Sequence, residues 1–579
     1  MPEPARFAVD GRAEIAAVVV TYGSAECLDP LLADLRAEAA GLALRVIIAD
    51  NSPTDETLAV ARRHADVIAV PTGGNLGYAG GVNVGLAHAG DAETVAVLNP
   101  DLRLRPGALA AMLAELRADP RRGVVVPRIV DETGATTTSL FREPTALRAL
   151  GDALLGRMWA SRPSGLSETV RDPGAYLSPR DVDWATGAAL LFSAAAVAAT
   201  GEWDERFFLY SEETDILRRV RNAGFAVRYT PEAVVEHAQG GSGSSPALDA
   251  LLEVNRIRYM RLHAPHRAET HRAMLILGAR LRGRRAAVTA LREESTWDAL
   301  PAATWCGTGS PIAAVVIPAR DEAAVIERTL AALAEPAAAG SVEVVVVCNG
   351  CADDTAERAR RFAGVRVIEL PAGSKPAAIN AGLDATTTRP VFILDADIAL
   401  PSATIPTLVR ALRAPGAAGG RPPFAYDLDG AAPAVRAYYR ARSRVPALSS
   451  ALWGAGVYAL SAEALARVAP LPAVVADDVW ADSRVTERRI PRVVPVQVRA
   501  PRTSAALLAT LTRVRRGPAE LGVDTGTGTL AALLRTATTP ARLGDAAVYA
   551  AFAVAARGRV RSAARGTWER DLSTRVAFG

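Results

Sequence analysis

Two acidic motifs in this sequence follow apolar, β-branched runs that predict buried strands. Asp395 and Asp397 come directly after Val391–Leu394, and Asn99 and Asp101 follow a similar run earlier in the chain. Carboxylate and amide oxygens one residue apart supply the hard ligands that Mg²⁺ or Mn²⁺ prefers. The Asn-Pro-Asp tripeptide also suits a turn, which is the alternative explanation. The equivalent placement of the motifs in two halves of the chain favours a pair of cation sites.

Both motifs belong to an internal repeat that covers most of the chain. The apolar run that begins at Ile15 recurs at Ile312, and Asn83-Val-Gly-Leu recurs as Asn380-Ala-Gly-Leu. In each half, apolar strands alternate with Ala- and Leu-rich helical segments, which predicts a mainly parallel sheet with helices on both faces. Ligand sites in such sheets lie at the carboxyl ends of the strands. The predicted fold is therefore α/β, with two domains that each carry a sheet and a site.

The domain boundaries follow from length and composition. A chain of 579 residues exceeds what one hydrophobic core holds. The predicted order is a first domain over 1–262, a helical linker over 263–310, a second domain over 311–520 and an Ala- and Arg-rich helical tail over 521–579. The tail could lie on an anionic membrane surface or cap the second domain, and both remain open. The stretch from Trp184 to Gly201 is too weakly apolar for a membrane span and is interpreted as a buried strand and helix.

Charge and cysteine content argue against several classes of protein. The net charge of +4 comes without a basic stripe interleaved with aromatic residues, so no nucleic-acid partner is expected. Of the four cysteines, Cys348 and Cys351 form a Cys-x-x-Cys pair, which alone is a poor zinc site. Residues 1–10 have no signal-peptide pattern. These features predict a cytoplasmic protein with reduced thiols.

Each half resembles glycosyltransferase family 2. Residues 14–260 resemble its rhamnosyltransferase-like members in the segments 18–22, 50–52, 75–83, 99–101, 184–187 and 203–215. Residues 311–520 resemble members that build polysaccharides or glycolipids, in the segments 317–322, 349–350, 373–380, 395–397, 453–456, 476–478 and 513–517. The resemblance implies a GT-A-type nucleotide-binding fold and inverting transfer. It also implies nucleotide-sugar donors, a glycan or lipid-linked acceptor and a divalent metal, Mg²⁺ or Mn²⁺.

The resemblance therefore predicts a bifunctional transferase in cell-surface polysaccharide synthesis. It would act in the cytoplasm or at the inner face of the membrane, and rhamnose or another deoxyhexose is the expected first donor. One alternative is a single active domain beside a half that merely binds nucleotide or acceptor. Another is a sugar nucleotidyltransferase, which would carry a Gly-rich loop with Arg and Lys after its first strand. Here Thr21-Tyr22-Gly23 and Pro318-Ala-Arg320 stand in that place.

The resemblance also assigns roles to a second acidic pair in each half. Glu213 and Asp478 match the position of the general base, and Glu212 and Asp477 precede them. Acidic residues also stabilise a helix N-terminus, and that explanation can hold at the same time. His237 stands where the similar branch has a metal-ligating histidine.

The remaining motif residues are expected to contact the nucleotide sugar. Lys375 is the one lysine of an Arg-rich chain, and a compact ammonium suits a crowded phosphate or carboxylate. Trp184 and Trp453 could each be a platform for a sugar ring or a core residue. The expected nucleotide-sugar-binding residues are Thr21, Tyr22, Asp50, Asn51, Asn75, Gly77, Asn83, Pro318, Arg320, Glu322, Asn349, Lys375, Asn380, Arg513 and Arg516.

Overall fold

A computed structural model describes residues 5–155, 159, 162–237, 245–413, 416, 418–445, 447–473, 476–520 and 527–562, with side chains described outside 447, 515–531 and 560–562. The chain divides into two compact units, Met1–Thr304 and Trp305–Gly579. Each unit has its own sheet and its own apolar core.

The first unit alternates strands and helices along its N-terminal half. Its strands are β1 (Ile15–Thr21), β2 (Leu44–Asp50), β3 (Ile68–Pro71), β4 (Thr94–Leu98), β5 (Leu102–Leu104), β6 (Arg122–Val130), β7 (Leu140–Phe141), β8 (Arg180–Val182), β9 (Trp184–Ala185), β10 (Ala189–Ser193) and β11 (Ala226–His237). Its helices are α1 (Ala25–Ala39), α2 (Glu56–Arg62), α3 (Gly77–Leu86), α4 (Ala108–Arg117), α5 (Ala146–Leu155), α6 (Ala194–Thr200), α7 (Glu212–Asn222), α8 (Pro246–His263), α9 (Ala268–Leu281) and α10 (Arg285–Arg292).

The main sheet of this unit has the strand order β3-β2-β1-β4-β10-β6-β11-β5. Strands β1 to β4 pair in parallel, and β10 is antiparallel to β4. Side chains of β1 alternate between two cores, because successive residues of a strand point to opposite faces. Ile15, Ala17 and Val19 pack with leucines of α1 and α4, whereas Ala16 and Val18 pack with α3 and α7. This two-sided burial holds the polar residues that follow each strand at one edge of the sheet.

The second unit repeats this plan in its first strands. Its strands are β12 (Ala313–Ala319), β13 (Val342–Asn349), β14 (Val365–Leu370), β15 (Val391–Leu394), β16 (Ala418–Gly420), β17 (Phe424–Asp427), β18 (Val457–Leu460), β19 (Glu487–Arg489) and β20 (Val496–Arg499). Its helices are α11 (Ile326–Ala331), α12 (Ala334–Ala338), α13 (Thr355–Arg360), α14 (Lys375–Asp384), α15 (Thr404–Leu412), α16 (Pro433–Arg442), α17 (Ala447–Ser450), α18 (Ala462–Val468), α19 (Asp477–Arg484), α20 (Ser504–Glu520), α21 (Thr527–Thr536) and α22 (Pro540–Ser562).

The order of the second sheet confirms the duplication. It runs β14-β13-β12-β15-β18-β16-β19, and its first five strands correspond in order and direction to β3-β2-β1-β4-β10 of the first unit. The predicted α/β class with two mainly parallel sheets and a helical C-terminal part is therefore confirmed.

The segments outside the two sheets are helical and packed. Of the predicted linker, residues 268–292 form α9 and α10, whose Leu275 and Leu291 pack in one cluster with Ile257 of α8 inside the first unit. In the predicted tail, α22 packs against α16, with the rings of Tyr438 and Tyr549 stacked at 4.9 Å. Among the described residues, no helix has the length and apolar character needed to cross a membrane.

Candidate active sites

The carboxyl ends of β1 and β2 build the first edge of the site in the first unit. The Thr21 hydroxyl donates to Asp50 Oδ1 at 2.8 Å, and both side chains are buried. The side-chain amide of Asn51 donates to the backbone carbonyl of Gly77 at 2.8 Å. Tyr22, the next residue after β1, is 58% exposed and has the position to contact a ligand at the strand end. Asn75 caps the turn before α3 by accepting from the amide of Gly77 at 3.1 Å.

Gly77 allows α3 to approach the segment that precedes α7. Its φ of +75° is a left-handed conformation, and a Cβ there would lie 2.2 Å from the carbonyl oxygen of Phe208. The same oxygen accepts from the amide of Tyr78 at 2.7 Å. The beginning of α3 is thus hydrogen-bonded to the backbone just before Glu212 and Glu213.

Two asparagines expected at the nucleotide sugar make hydrogen bonds to distant backbone. The buried amide of Asn83 donates to Trp203 O at 3.0 Å and accepts from the amide of Trp203 at 2.8 Å. In the second unit, Asn380 makes the same pair of bonds with the backbone of Leu471, at 2.9 and 2.8 Å. Because each amide both donates to and accepts from backbone, these side chains anchor helices α3 and α14.

Three expected metal ligands converge after β4. His237, the last residue of β11, has its Nε2 atom 3.2 Å from Asp101 Oδ1 and 3.4 Å from Asn99 Nδ2. Burial favours the neutral acid, but the hydrogen bond and the charge of His237 bring the pKa of Asp101 below its ordinary value. The imidazole nitrogen of His237 and the carboxylate of Asp101 form a donor pair that fits Mn²⁺ or Mg²⁺ with water completing the shell, and Asn99 presents its amide nitrogen to the histidine.

The expected base of the first unit stands at the start of α7, after a strained segment. Phe208, Tyr210 and Ser211 have φ values of 61°, 70° and 70°, and such left-handed residues cluster at functional sites. Burial, followed by the charge of Glu213, raises the pKa of Glu212 well above its ordinary value. Burial also raises the pKa of Glu213 to about 7. A carboxyl with such a pKa can exchange protons near neutral pH.

Glu213 lines a cavity of about 190 Å³. The ring of Trp184 stacks on Phe141 at 4.1 Å on one wall, and its Nε1 donates to Arg142 O. Other wall residues come from α5, α7, α8 and nearby loops, and they are Pro144, Asp152, Glu168, Thr169, Tyr210, Ser211, Thr214, Leu252, Arg256 and Tyr259. Sequence motifs did not point to Arg256, Tyr259 or Asp152, because no local pattern links α5 and α8 to the base.

The strand ends of the second unit hold the corresponding polar residues. Pro318 lies in β12, and the amide of Asn349, at the end of β13, donates to Ala319 O at 2.8 Å. The Arg320 guanidinium packs on Gly373, where a Cβ would lie 2.4 Å from Nη1. The backbone amide of Glu322 donates to Thr355 Oγ1 at 2.7 Å.

A nearby acidic group in this unit is explained by its turns. Ligand atoms of Asp321, Cys351 and Asp353 lie within 4.8 Å of one another. Both carboxylates accept from backbone amides, that of Asp321 from Ala352 and that of Asp353 from Ala323.

Lys375 lies between the two acidic motifs of the second unit. Its Nζ is 2.8 Å from Asp395 Oδ1 and 2.9 Å from Asp477 Oδ1. Burial alone would lower the pKa of Lys375, but the two carboxylates raise it well above its ordinary value. Burial raises the pKa of Asp395 despite the lysine. Asp397 contributes its backbone carbonyl to the guanidinium of Arg328 at 2.6 Å.

Asp478, the expected base of the second unit, lies in the first turn of α19. Its carboxylate accepts from the backbone amide of Val479 at 2.8 Å. Burial, and next the charge of Asp477, raise the pKa of Asp478 to about 6. Trp453 is partly buried and packs against the helical cluster that contains Tyr438, so its ring belongs largely to that core. Arg513 lies partly buried on α20, and the side chain of Arg516 lies outside the described residues.

Comparisons with known proteins point to one family of enzymes. A family model described as glycosyl transferase family 2 matches residues 16–162 and 314–451. The chain is similar to N-acetylglucosaminyl-diphospho-decaprenol L-rhamnosyltransferase of Mycobacterium tuberculosis, with 35% identity over 242 residues, 40% of this chain and 78% of that protein. It is 21% identical over 226 residues to rhamnosyltransferase WbbL of Escherichia coli, covering 37% of this chain and 79% of that protein. A solved mannosyltransferase of Pyrobaculum calidifontis, in complex with GDP-Man and Mn²⁺, has 19% identity and a TM-score of 0.30 and covers 52% of this chain and 87% of that one.

The matched family and the relatives make the chain a glycosyltransferase. The chain belongs to glycosyl transferase family 2. The resemblance predicted from the motifs is confirmed by the family match in both halves.

Proposed function

We propose that the chain is a bifunctional inverting glycosyltransferase of cell-surface polysaccharide synthesis. Each unit would transfer a sugar from a nucleotide-sugar donor to a hydroxyl of a glycan or lipid-linked acceptor. The observation that carries the proposal is the carboxyl at the start of α7 and of α19, whose pKa burial raises to about 7 in Glu213 and about 6 in Asp478. Such a group accepts a hydroxyl proton effectively near neutral pH.

The chemistry is a single displacement at the anomeric carbon. The acceptor oxygen forms the new bond while its proton passes to Glu213 or Asp478, and the nucleoside diphosphate leaves from the opposite face with the electron pair of the broken bond. In the first unit, Asn99, Asp101 and His237 would hold a divalent cation, Mg²⁺ or Mn²⁺. When bound, such a cation neutralises the charge that develops on the leaving diphosphate.

We assign the cavity beside Glu213 to the sugar of the acceptor. Its aromatic wall, formed by Trp184, Phe141 and Tyr259, suits the apolar face of a sugar ring, and its carboxylates suit hydroxyl groups. The volume of about 190 Å³ corresponds to a small number of water-sized molecules, so it suits one sugar unit rather than a longer chain.

The names of the relatives support a class of donor sugar and a place of action for this chain. Two relatives are named rhamnosyltransferases, which supports a deoxyhexose such as rhamnose for one donor. The M. tuberculosis relative is named for a decaprenol-linked acceptor, which supports a lipid-linked glycan and action at the inner face of the membrane. Arg513 on α20 would contact the donor diphosphate of the second unit, and the same role is proposed for Arg516 from its sequence motif alone.

The test replaces the proposed general base of each unit in turn and measures which transfer reaction is lost. Purified Glu213→Gln, Asp478→Asn and the double variant are incubated with a panel of nucleotide sugars, Mg²⁺ or Mn²⁺, and lipid-linked acceptors. Each single variant is expected to lose one transfer reaction by at least 100-fold and to keep the other. The matched control is Glu357→Gln, an exposed residue of α13, which should change neither.

The outcomes of this test are distinct. Loss of a reaction in just one of the two single variants would make the other unit a binding scaffold. If neither variant loses transfer, the assignment of both bases is wrong.

A further inference from the structure

The ammonium of Lys375 forms an internal ion-pair network in the second site. It contacts Asp395, which follows β15, at 2.8 Å and Asp477, which begins α19, at 2.9 Å. The other oxygen of Asp477 accepts from the hydroxyl of Tyr458 at 3.2 Å. One cation thus joins the carboxylate motif expected to bind metal with the carboxylate that precedes the base.

The first unit has uncharged residues at the corresponding places. Tyr78 stands five positions before Asn83, as Lys375 stands five positions before Asn380, and Asn99 corresponds to Asp395. The Tyr78 hydroxyl donates to the carbonyl of Gly187 at 3.1 Å. A neutral phenol and amide in one unit are therefore exchanged for an ammonium and a carboxylate in the other.

This exchange changes what each site offers to a divalent cation. Relative to the first unit, the second gains the carboxylate of Asp395 and also the ammonium of Lys375, which lies 2.8 Å from it. The two charges cancel, so this pair adds no net attraction for a divalent cation. A dication coordinated by Asp395 would lie within a few ångströms of the Lys375 ammonium and be repelled by it. All six histidines of the sequence precede position 272, so the second unit also lacks a counterpart of His237. The residues of the second site therefore do not fit a divalent cation as those of the first do.

We propose, on the basis of the transfer reaction proposed above, that the second site works without a divalent cation and that Lys375 supplies the positive charge at the donor diphosphate. An ammonium has three N–H donors, and the two contacts with Asp395 and Asp477 leave one for a phosphate oxygen. The glycosidic C–O bond breaks with its electron pair on the diphosphate, the acceptor oxygen forms the new C–O bond, and its proton passes to Asp478. Lys375 stays protonated throughout and stabilises the leaving oxygen electrostatically.

The first experiment counts Mn²⁺ sites on the full-length chain by electron paramagnetic resonance, with the metal alone as probe. Wild type should bind Mn²⁺ at a site that Asp101→Asn removes and that Asp397→Asn leaves unchanged. Lys375→Met should gain one Mn²⁺ site per chain, because Asp395, Asp397 and Asp477 then lose their internal cation. A site in wild type that Asp397→Asn removes would overturn the proposal, as would a folded Lys375→Met chain that gains none.

Folding of the lysine variant has its own control. Persistence of the Asp101-dependent Mn²⁺ site in Lys375→Met shows that the first unit is intact, and near-ultraviolet circular dichroism reports on the second. If Lys375→Met does not fold, the Asp397→Asn comparison decides the question in a chain that keeps Lys375.

The second experiment measures binding of UDP, GDP and dTDP in EDTA by calorimetry. The Asp101→Asn chain should bind one of these nucleotides without metal, and adding Lys375→Met should weaken that binding at least tenfold. Binding that requires Mn²⁺ even at the second site would overturn the proposal. The transferase assignment itself is tested separately, by the transfer rates of Glu213→Gln and Asp478→Asn. If that assignment fails, the number of Mn²⁺ sites measured on the chain is unaffected.

Discussion

Asn255 is expected to hold the segment that positions the base of the first unit. This fully buried residue of α8 donates its amide to the backbone carbonyls of Phe207, Leu209 and Tyr210 at 2.6, 2.8 and 3.0 Å. Arg258 donates to its Oδ1 atom at 2.8 Å, which fixes the orientation of the amide because a guanidinium only donates. One side chain therefore holds three carbonyls just before α7.

The magnitude of the Asn255→Ala effect follows from these contacts. The side-chain amide has two N–H donors that the three carbonyls share, and two hydrogen bonds at about 0.5–1.5 kcal/mol each amount to about 1–3 kcal/mol of stability in the first unit. The left-handed residues Phe208, Tyr210 and Ser211 store strain of about 1–3 kcal/mol each, which is of the same order. Without the amide the segment can relax and carry Glu213 with it, and a shift of about 1 Å costs roughly 100-fold in rate.

The assay compares Asn255→Ala with a variant that also loses hydrogen bonds to backbone carbonyls, at the start of β2. Arg45, at the start of β2, also donates to three backbone carbonyls, those of Ala8, Gly11 and Ala89. We expect Arg45→Met to lower the melting temperature of the first unit without changing kcat, and Asn255→Ala to lower both. An unchanged kcat of folded Asn255→Ala would refute the reasoning.

Three further predictions concern the same unit and its counterpart. A general base must be ionised, so the transfer rate that depends on Glu213 should fall below pH about 7 and the rate that depends on Asp478 below pH about 6. The measurement is kcat/KM against pH for each unit, with the base of the other unit replaced. Identical pH profiles for the two units would contradict the effect of burial on these pKa values. Leu252→Trp should fill the cavity and raise the KM for the acceptor at least tenfold, without changing the rate of donor hydrolysis. The control Leu262→Trp, at an exposed position of the same helix, should change neither the acceptor KM nor donor hydrolysis. Gly77→Ala should cost about 1 kcal/mol or more for its positive φ and lower kcat, because its Cβ displaces Phe208; a wild-type kcat would show that this contact is dispensable.

Local sequence patterns were sufficient to predict the sheets and the places of the acidic motifs. A β-branched run such as Val391–Leu394 is buried on both faces, so it could be read as a parallel strand without knowledge of its neighbours. Polar residues directly after such a strand must then lie at its carboxyl end, as Asp101 and Asp397 do. The duplication strengthened each predicted strand and motif, because the same order of strands, helices and polar motifs occurs in both halves of the sequence.

Contacts between distant segments could not be read from the sequence. Arg256 and Tyr259 of α8 reach the cavity of Glu213 from a helix that carries no family motif. The family motifs predicted ligand binding for Asn83 and Asn380, and they gave no sign of the backbone partners of these amides, which lie roughly 90 to 120 residues away. Side-chain chemistry predicted what these groups could bond to, and only the tertiary structure determined which partner they met.

On the proposed assignments, the duplicated site keeps its proton-accepting group while its cationic group changes. The base must stand where the acceptor hydroxyl arrives, so its place at the start of α7 and α19 is fixed by the geometry of the reaction. The positive charge at the leaving diphosphate acts over several ångströms and can come from a coordinated metal or from an ammonium. Replacing Tyr78 and Asn99 by Lys375 and Asp395 leaves the net charge of the pair at zero. We therefore expect EDTA to suppress the reaction that depends on Glu213 and to leave the reaction that depends on Asp478.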